Sequence, residues 1–309
     1  MSRAPVATTV LGGFLGAGKT TLVNRLLRAP EGRRIAVLVN DFGEVAIDSL
    51  LIEANDGPVL NLANGCVCCS MGGDLSHALD LILEPGRWPD HLVIEASGVA
   101  EPDRIADIAR ADPDLRLDAV VTLVDAEQVG AQFADPRLRE LVRRQIAGAD
   151  FLLLNKSDLA ADLPAVTAWL RGLAPQTAIL PTRHAEAPVE LILGDLERAP
   201  RGRFRADAPP ADTAGHETMF ARWSAGADRR LSRAAIEGLL ARLTPAVLRL
   251  KGWVTLDDGA VMAVQAVGGR RELRPLPTPP DGGPMTRLTA IGLAGDLDAQ
   301  ALDALFAAA

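Results

Sequence analysis

Gly13-Phe14-Leu15-Gly16-Ala17-Gly18-Lys19-Thr20 fits the spacing G-x-x-x-x-G-K-[ST] at every fixed position, and it restricts the fold more than any other stretch. A short apolar, β-branched run (Val6 to Leu11) precedes it, and Leu22, Leu26 and Leu27 follow at helical spacing. Strand, glycine loop and helix form the setting in which this spacing makes a phosphate cradle rather than a chance turn. The loop wraps so that backbone N–H groups face phosphate oxygens, and the helix start adds its positive dipole end. Gly13, Gly16, Ala17, Gly18, Lys19, Thr20 and Thr21 are the predicted phosphate-binding residues. Lys19 reaches the β- and γ-phosphates as a catalytic cation, and Thr20 offers its hydroxyl to Mg²⁺.

The order of the remaining elements predicts what surrounds the loop. Arg34 to Asn40, Val59 to Leu62, His91 to Ala96, Ala119 to Asp125, Asp150 to Asn155 and Ala178 to Pro181 read as short buried strands. Helices are expected near Asp74 to Leu83, Asp103 to Ala111 and Pro136 to Ala147. Apolar strands alternating with amphipathic helices predict an α/β fold, a parallel sheet flanked by helices. The loop and the strand ends then share one rim, where such sheets bind ligands. Residues 1–200 form this phosphate-binding domain, and 201–216, in a stretch rich in Pro, Arg and Ala, form a linker. Residues 217–309 form a smaller α+β domain: a strand at Thr218 to Trp223, a helix from Ser232 to Leu243, and a hairpin turning at Asp257-Asp258-Gly259. A strand near Arg287 to Gly292 and a helix from about Asp298 complete it.

Composition closes off other classes. At 309 residues and 48% hydrophobic, the chain can build a large core. Its net charge of −8 argues against nucleic acid or an anionic membrane as partner. No apolar run approaches the ~18–20 residues of a membrane span, and no signal peptide is visible at the N-terminus. The three cysteines, Cys66, Cys68 and Cys69, lie within four residues, so they cannot staple distant segments. A reducing cytoplasm fits that usage.

Two further motifs refine the ligand. Asn155-Lys156-Ser157-Asp158 follows a buried strand and matches N-K-x-D. A carboxylate at Asp158 accepts from both the ring N1–H and the exocyclic amine of guanine, a donor pair that adenine lacks. Such a site discriminates by ~10⁴-fold or more. The stem of Lys156 lies over the base. Alone, the tetrapeptide would serve equally as a helix start capped by Asp158; downstream of a phosphate loop it favours GTP over ATP. Glu95 ends the HLVIE run that starts at His91 and opens Glu95-Ala96-Ser97-Gly98, where a carboxylate holds the Mg²⁺ water shell. Gly98 lets backbone N–H approach the γ-phosphate.

Asn64-Gly65-Cys66-Val67-Cys68-Cys69-Ser70 is the most unusual stretch. In an extended segment the first two thiols share a side and the third faces away; a turn converges all three. As thiolates they suit Zn²⁺ or Co²⁺, with the fourth position open to a carboxylate, solvent or a partner. The competing readings are buried apolar cysteines and a redox pair. The cluster lies in sequence between Asp41–Asp48 and Glu95, segments that sense the γ-phosphate, so metal and nucleotide sites are expected to be coupled.

Taken together, the chain resembles the CobW-type metallochaperone GTPases. GFLGAGKTT (Gly13 to Thr21), NDFGEVAID (Asn40 to Asp48), GCVCC (Gly65 to Cys69), EASGVAEP (Glu95 to Pro102) and NKSD (Asn155 to Asp158) stand in family order. LRLKGWVTL (Leu248 to Leu256) and VQAVG (Val264 to Gly268) resemble the family's second domain. The resemblance implies a P-loop NTPase fold and a GTP-dependent protein that delivers a transition metal, zinc or cobalt, to a client. It implies that Glu95 replaces the usual Walker-B Asp. Cys66, Cys68 and Cys69 become metal ligands, with Glu44 as the fourth. The chain departs at position 41, Asp where the family usually has Glu, and in lacking a histidine-rich linker tract. Its four histidines (His77, His91, His184, His216) are scattered and read as ordinary surface or core residues.

The leading expectation is a slow GTPase. GTP·Mg²⁺ orders the Asp41–Asp48 loop and the cysteine segment into a tight metal site, and hydrolysis releases the ion to a client metalloenzyme or a cobalamin-pathway protein. Asp41, Glu44 and Asp48 are the candidates for orienting water or Mg²⁺, and the residues leave the choice open. A homo-oligomer is compatible with this reading. The alternatives are a metal sensor or buffer with a structural nucleotide, and a regulatory GTPase with structural zinc.

Overall fold

The computed structural model describes residues 4–28, 33–40, 59–62, 79–83, 88–194, 220–276 and 284–309. The chain divides into two compact units, Met1–Leu193 and Gly194–Ala309. The expected linker, 201–216, lies outside the described residues.

In the first unit the described strands are β1 (Val6–Gly12), β2 (Ile35–Asn40), β3 (Val59–Leu62), β4 (His91–Glu95), β5 (Leu115–Asp125), β6 (Phe151–Asn155) and β7 (Ala178–Pro181). They form one sheet in the order β3-β2-β4-β1-β5-β6-β7, every pair parallel. From β1 the chain lays β2 and β3 on one side, returns to insert β4 between β2 and β1, and then adds β5, β6 and β7 on the other side, so the carboxyl end of β1 sits at the switch point where such sheets open a crevice. The strands read as near-continuous apolar runs because both faces are covered. Val10, Leu38, Leu92 and Ile94 pack with Ile105 and Ala106 in one cluster; Leu152 and Leu154 pack with Ile146 and Leu170 in another. Polar residues inside β1 are satisfied locally: Thr9 Oγ1 donates to Ile192 O (2.9 Å) and lies 2.9 Å from His91 Nε2.

The helices are α1 (Lys19–Arg28), α2 (Pro102–Ala111), α3 (Val129–Ala134), α4 (Arg139–Ala147), α5 (Leu163–Leu173) and α6 (Val189–Leu193). On α1, Leu22, Leu26 and Leu27 are buried as their spacing predicts. One helix differs from its expectation. The helix placed at Pro136 to Ala147 starts at Arg139, and a separate helix, α3, precedes it. The cause is Pro136, which drives the residue before it out of the helical region. Asp135 accordingly sits at φ −70, ψ 118, ends α3, and accepts from Arg137 N (2.9 Å). Of the helix expected at Asp74 to Leu83, only the last turn falls among the described residues.

The second unit is an antiparallel sheet of β8 (Phe220–Ala227), β9 (Val247–Thr255), β10 (Val261–Val267), β11 (Arg270–Pro275) and β12 (Thr286–Leu293), in the order β11-β10-β9-β12-β8. One face packs on α7 (Arg233–Ala241) and α8 (Ala299–Ala308) through Ile236, Leu240, Leu250, Val254, Leu288 and Phe306. Both helices start at side-chain caps, Ser232 Oγ accepting from Ala235 N and Asp298 Oδ1 from Ala301 N. Trp223 holds α8 from below: its Nε1 donates to Asp303 Oδ1 (2.8 Å) and its ring meets Phe306 edge-on. The strand β11 has no counterpart in the sequence reading, because RRELRP carries an edge strand's charges rather than an apolar alternation. No described helix is long and apolar enough to cross a membrane.

Candidate nucleotide site

The site begins where β1 runs out. Gly13 takes φ +129, and a Cβ there would stand 2.2 Å from Leu123 O on β5, so the loop lies against the neighbouring strand as only glycine permits. Gly18 takes φ +106, and its missing Cβ would meet Asn155 Nδ2 at 2.5 Å. Between them Gly16 is exposed at the turn, and buried Ala17 donates its N–H to Phe14 O (3.2 Å). Lys19 opens α1, is buried, and donates from Nζ to Gly13 O (3.0 Å) and Phe14 O (3.3 Å), so its ammonium sits inside the curl of the loop. Thr21 is exposed on the first turn of the same helix.

Thr20 and Glu95 meet. The Thr20 hydroxyl donates to Glu95 Oε1 at 3.1 Å, joining residues 75 apart in sequence. Glu95 is 2% exposed at the end of β4, in register with Leu11 of β1 and Val39 of β2. A hydroxyl and a carboxylate side by side beneath a phosphate loop are the hard oxygen donors that suit Mg²⁺, so these residues fit the ion. Beyond Glu95, Gly98 is buried against Leu15 of the loop, where a Cβ would lie 2.8 Å from Leu15 N.

The N-K-x-D segment leaves β6 on the same rim. Asn155 is 3% exposed and fully engaged: Nδ2 donates to Ala17 O (2.8 Å), and Oδ1 accepts from Ala185 N (2.8 Å) and Thr182 Oγ1 (3.3 Å). It ties the phosphate loop to the loop after β7. Lys156 takes φ +57 and pairs its ammonium with Asp125 Oδ2 at 2.6 Å. Asp125 is buried at the end of β5, with its other oxygen accepting from Glu127 N (3.0 Å) and Gln128 N (3.2 Å). Asp158 is exposed just beyond, open to a ligand.

Several participants escaped the sequence reading. The loop after β7 is one: His184 and Ala185 both have positive φ, and Arg25 of α1 holds it by donating to His184 O (2.9 Å) and Glu186 Oε1 (2.6 Å). Asp125 is another. A buried Asn needs partners, so Asn155 signalled that something lay opposite it, but no spacing rule says which loop.

Asp41, Glu44, Asp48, Cys66, Cys68 and Cys69 lie outside the described residues. Among the described residues no group of three or more His, Cys, Asp or Glu is arranged to hold a metal ion. The strands flanking those segments do end on the rim: Asn40 pairs with Leu62, and Val39 with Glu95.

Comparison with known proteins agrees with this geometry. Residues 7–181 match the model of the CobW/HypB/UreG nucleotide-binding domain, and residues 220–309 match the cobalamin synthesis protein cobW C-terminal domain. A Sinorhizobium protein named zinc chaperone CobW is 32% identical over 227 residues, 62% of this chain and 63% of the relative. The Escherichia coli protein named zinc chaperone YjiA is 34% identical over 222 residues, 66% of this chain and 68% of the relative. The chain thus spans about two thirds of the length of the relatives it matches. The crystal structure of Zn(II)-bound YjiA GTPase from E. coli aligns over 99% of both chains at 24% identity, with a TM-score of 0.48. With its phosphate loop, its Thr20–Glu95 pair and both domain models in sequence order, this chain belongs to the CobW/HypB/UreG nucleotide-binding family and carries a cobW-type C-terminal domain.

Proposed function

We propose that the protein is a GTP-dependent metallochaperone, which binds a transition metal at Cys66, Cys68 and Cys69 and hydrolyses GTP to pass the ion to a client. The observation that carries the nucleotide half is the Thr20–Glu95 contact at 3.1 Å beneath a loop in which Gly13 and Gly18 leave no room for a side chain. Guanine follows from Asp158, exposed beside a loop that Asn155 locks to the phosphate cradle. The metal half is supported by chain order. β2 ends beside β4 on the rim, one residue before Asp41, and β3 ends beside β2 on the same rim, four residues before Cys66. Four residues of extended chain reach at most ~14 Å, which bounds how far the first thiol can stand from the end of β3.

In this reading the glycine loop and Lys19 hold the β- and γ-phosphates, and Thr20, Glu95 and Asp48 hold Mg²⁺. When bound, Mg²⁺ would supply positive charge to the phosphate oxygens. Water attacks the γ-phosphorus, the bond to the β–γ bridging oxygen breaks, and GDP and phosphate result. Asp41, Glu44 and Asp48 are the candidates for orienting that water. Glu44 joins the three thiolates as the fourth ligand of the cargo ion. Zinc is the favoured cargo, since both relatives above are named zinc chaperones; cobalt meets the same ligand chemistry. The client is a metalloenzyme or a cobalamin-pathway protein. A reducing cytoplasm suits a protein whose thiols must stay unpaired by oxidation.

Phosphate release tests the enzyme half. GTP should be hydrolysed and ATP ignored. Glu95→Gln should slow GTP turnover on the order of 10²-fold while leaving GDP affinity nearly unchanged. Equal use of ATP, or full turnover in Glu95→Gln, would overturn the reading.

A further inference from the structure

Against Gly98, from the helix α4, stands a buried side chain with no part in the nucleotide site described above. Gln145 is on α4 and only 2% exposed. Its Nε2 donates to Gly98 O (3.1 Å) and to Ala100 O (2.9 Å), 47 and 45 residues away. Both partners are carbonyl oxygens, so the amide has only one orientation that satisfies them. The Gln145 backbone is held in turn, because its own carbonyl accepts from Thr122 Oγ1 (3.1 Å) on β5. Thr122 pairs with Gly12, the residue that leads into the phosphate loop.

The segment that Gln145 grips is closed on itself by Ala100 N donating to Ser97 O (2.9 Å). In a trans peptide the N–H lies opposite the carbonyl. With the oxygens of Ser97 and Gly98 both engaged, the N–H directions of Gly98 and Val99 are fixed as well, and the Val99 N–H is aimed away from α4. The Gly98 backbone also rests against Leu15 of the phosphate loop. A second tie runs alongside: Arg144, the neighbour of Gln145, pairs with Glu101 at 2.9 Å.

We propose that Gln145 is a positioning residue for nucleotide discrimination: from α4, it sets the Gly98–Ala100 turn so that the N–H groups of Gly98 and Val99 meet the terminal phosphate of GTP, and so it governs the preference for GTP over GDP. This rests on the GTPase reading above and adds a residue to it that touches neither nucleotide nor metal. GDP has no terminal phosphate for the turn to meet, so the role shows in a ratio of affinities. A role confined to stability would shift both nucleotides alike.

The test measures affinity for GDP and for a non-hydrolysable GTP analogue, with Mg²⁺, on the full chain and two variants. Gln145→Met keeps length and bulk and removes both donors. Gln145→Asn keeps the amide one methylene short, and decides the matter if the Met variant does not fold. The expected result is an analogue affinity about tenfold weaker with GDP affinity held within about twofold, as two lost buried hydrogen bonds would give if felt only through the turn. An unchanged ratio in the variants, whether both affinities fall or neither does, overturns the positioning role and leaves the GTPase reading intact. A wild-type protein that binds no guanine nucleotide overturns both.

Discussion

Asp158 and Asn155 stand three positions apart and do different work. Asp158 is exposed and can accept two hydrogen bonds from a purine edge; Asn155 is buried and spends its amide on Ala17, Thr182 and Ala185. Replacing Asp158 by Asn turns one acceptor into a donor. Affinity for GTP should fall on the order of 10²-fold or more, and the variant should prefer xanthosine triphosphate, whose 2-oxo group accepts from that donor. Competition between the two nucleotides measures it, and an unchanged preference for GTP would remove Asp158 from the base site. N-K-x-D is legible as a string because its chemistry is local. What Asn155 holds together is not, since Ala17 and Ala185 are distant in sequence and meet only once the sheet has formed. Gln145 was invisible for the same reason: one Gln in a charged helix carries no pattern.

At the level of elements, the strands were legible wherever burial on both faces writes a continuous apolar run, as in β2, β4 and β6. Legibility failed where another constraint overrode the pattern. The helix expected from Pro136 starts only at Arg139, after a short unexpected helix that ends before Pro136, and β11 is charged because it lies at the edge of its sheet. The surface of α4 offers a test of local electrostatics. Glu140 accepts from Arg143 (2.7 and 2.9 Å) and Arg144 (2.9 Å), and these hydrogen bonds hold its carboxyl down from the usual 4.5 to about 2. A lowered carboxyl pKa stabilises the folded state above the unfolded value and loses that effect as pH falls through the folded one. Glu140→Gln should therefore be slightly less stable near neutral pH, with the difference from wild type closing between about 4.5 and about 2. Urea midpoints followed down in pH measure it; the effect is small because the pair is exposed. A difference that does not vary with pH would show that the ion pairs contribute nothing.

For the molecule as a whole, the proposed function joins two chemistries on one rim. The glycine loop, Thr20 and Glu95 address a phosphate, while β2, next to the Glu95 strand, leads to Asp41, Glu44 and Asp48, and β3, next to β2, leads to the three cysteines. If the terminal phosphate tightens the thiol site, linkage requires the metal to tighten GTP binding by the same factor. The most direct measurement is a Zn²⁺ titration of the full chain against a chromophoric chelator, once with GDP and once with a non-hydrolysable GTP analogue. Zinc affinity should be at least about tenfold higher with the analogue, with no such gain when Cys66, Cys68 and Cys69 are changed to Ser. Equal zinc affinity with both nucleotides would contradict it and leave a sensor, a buffer or a structural zinc in its place.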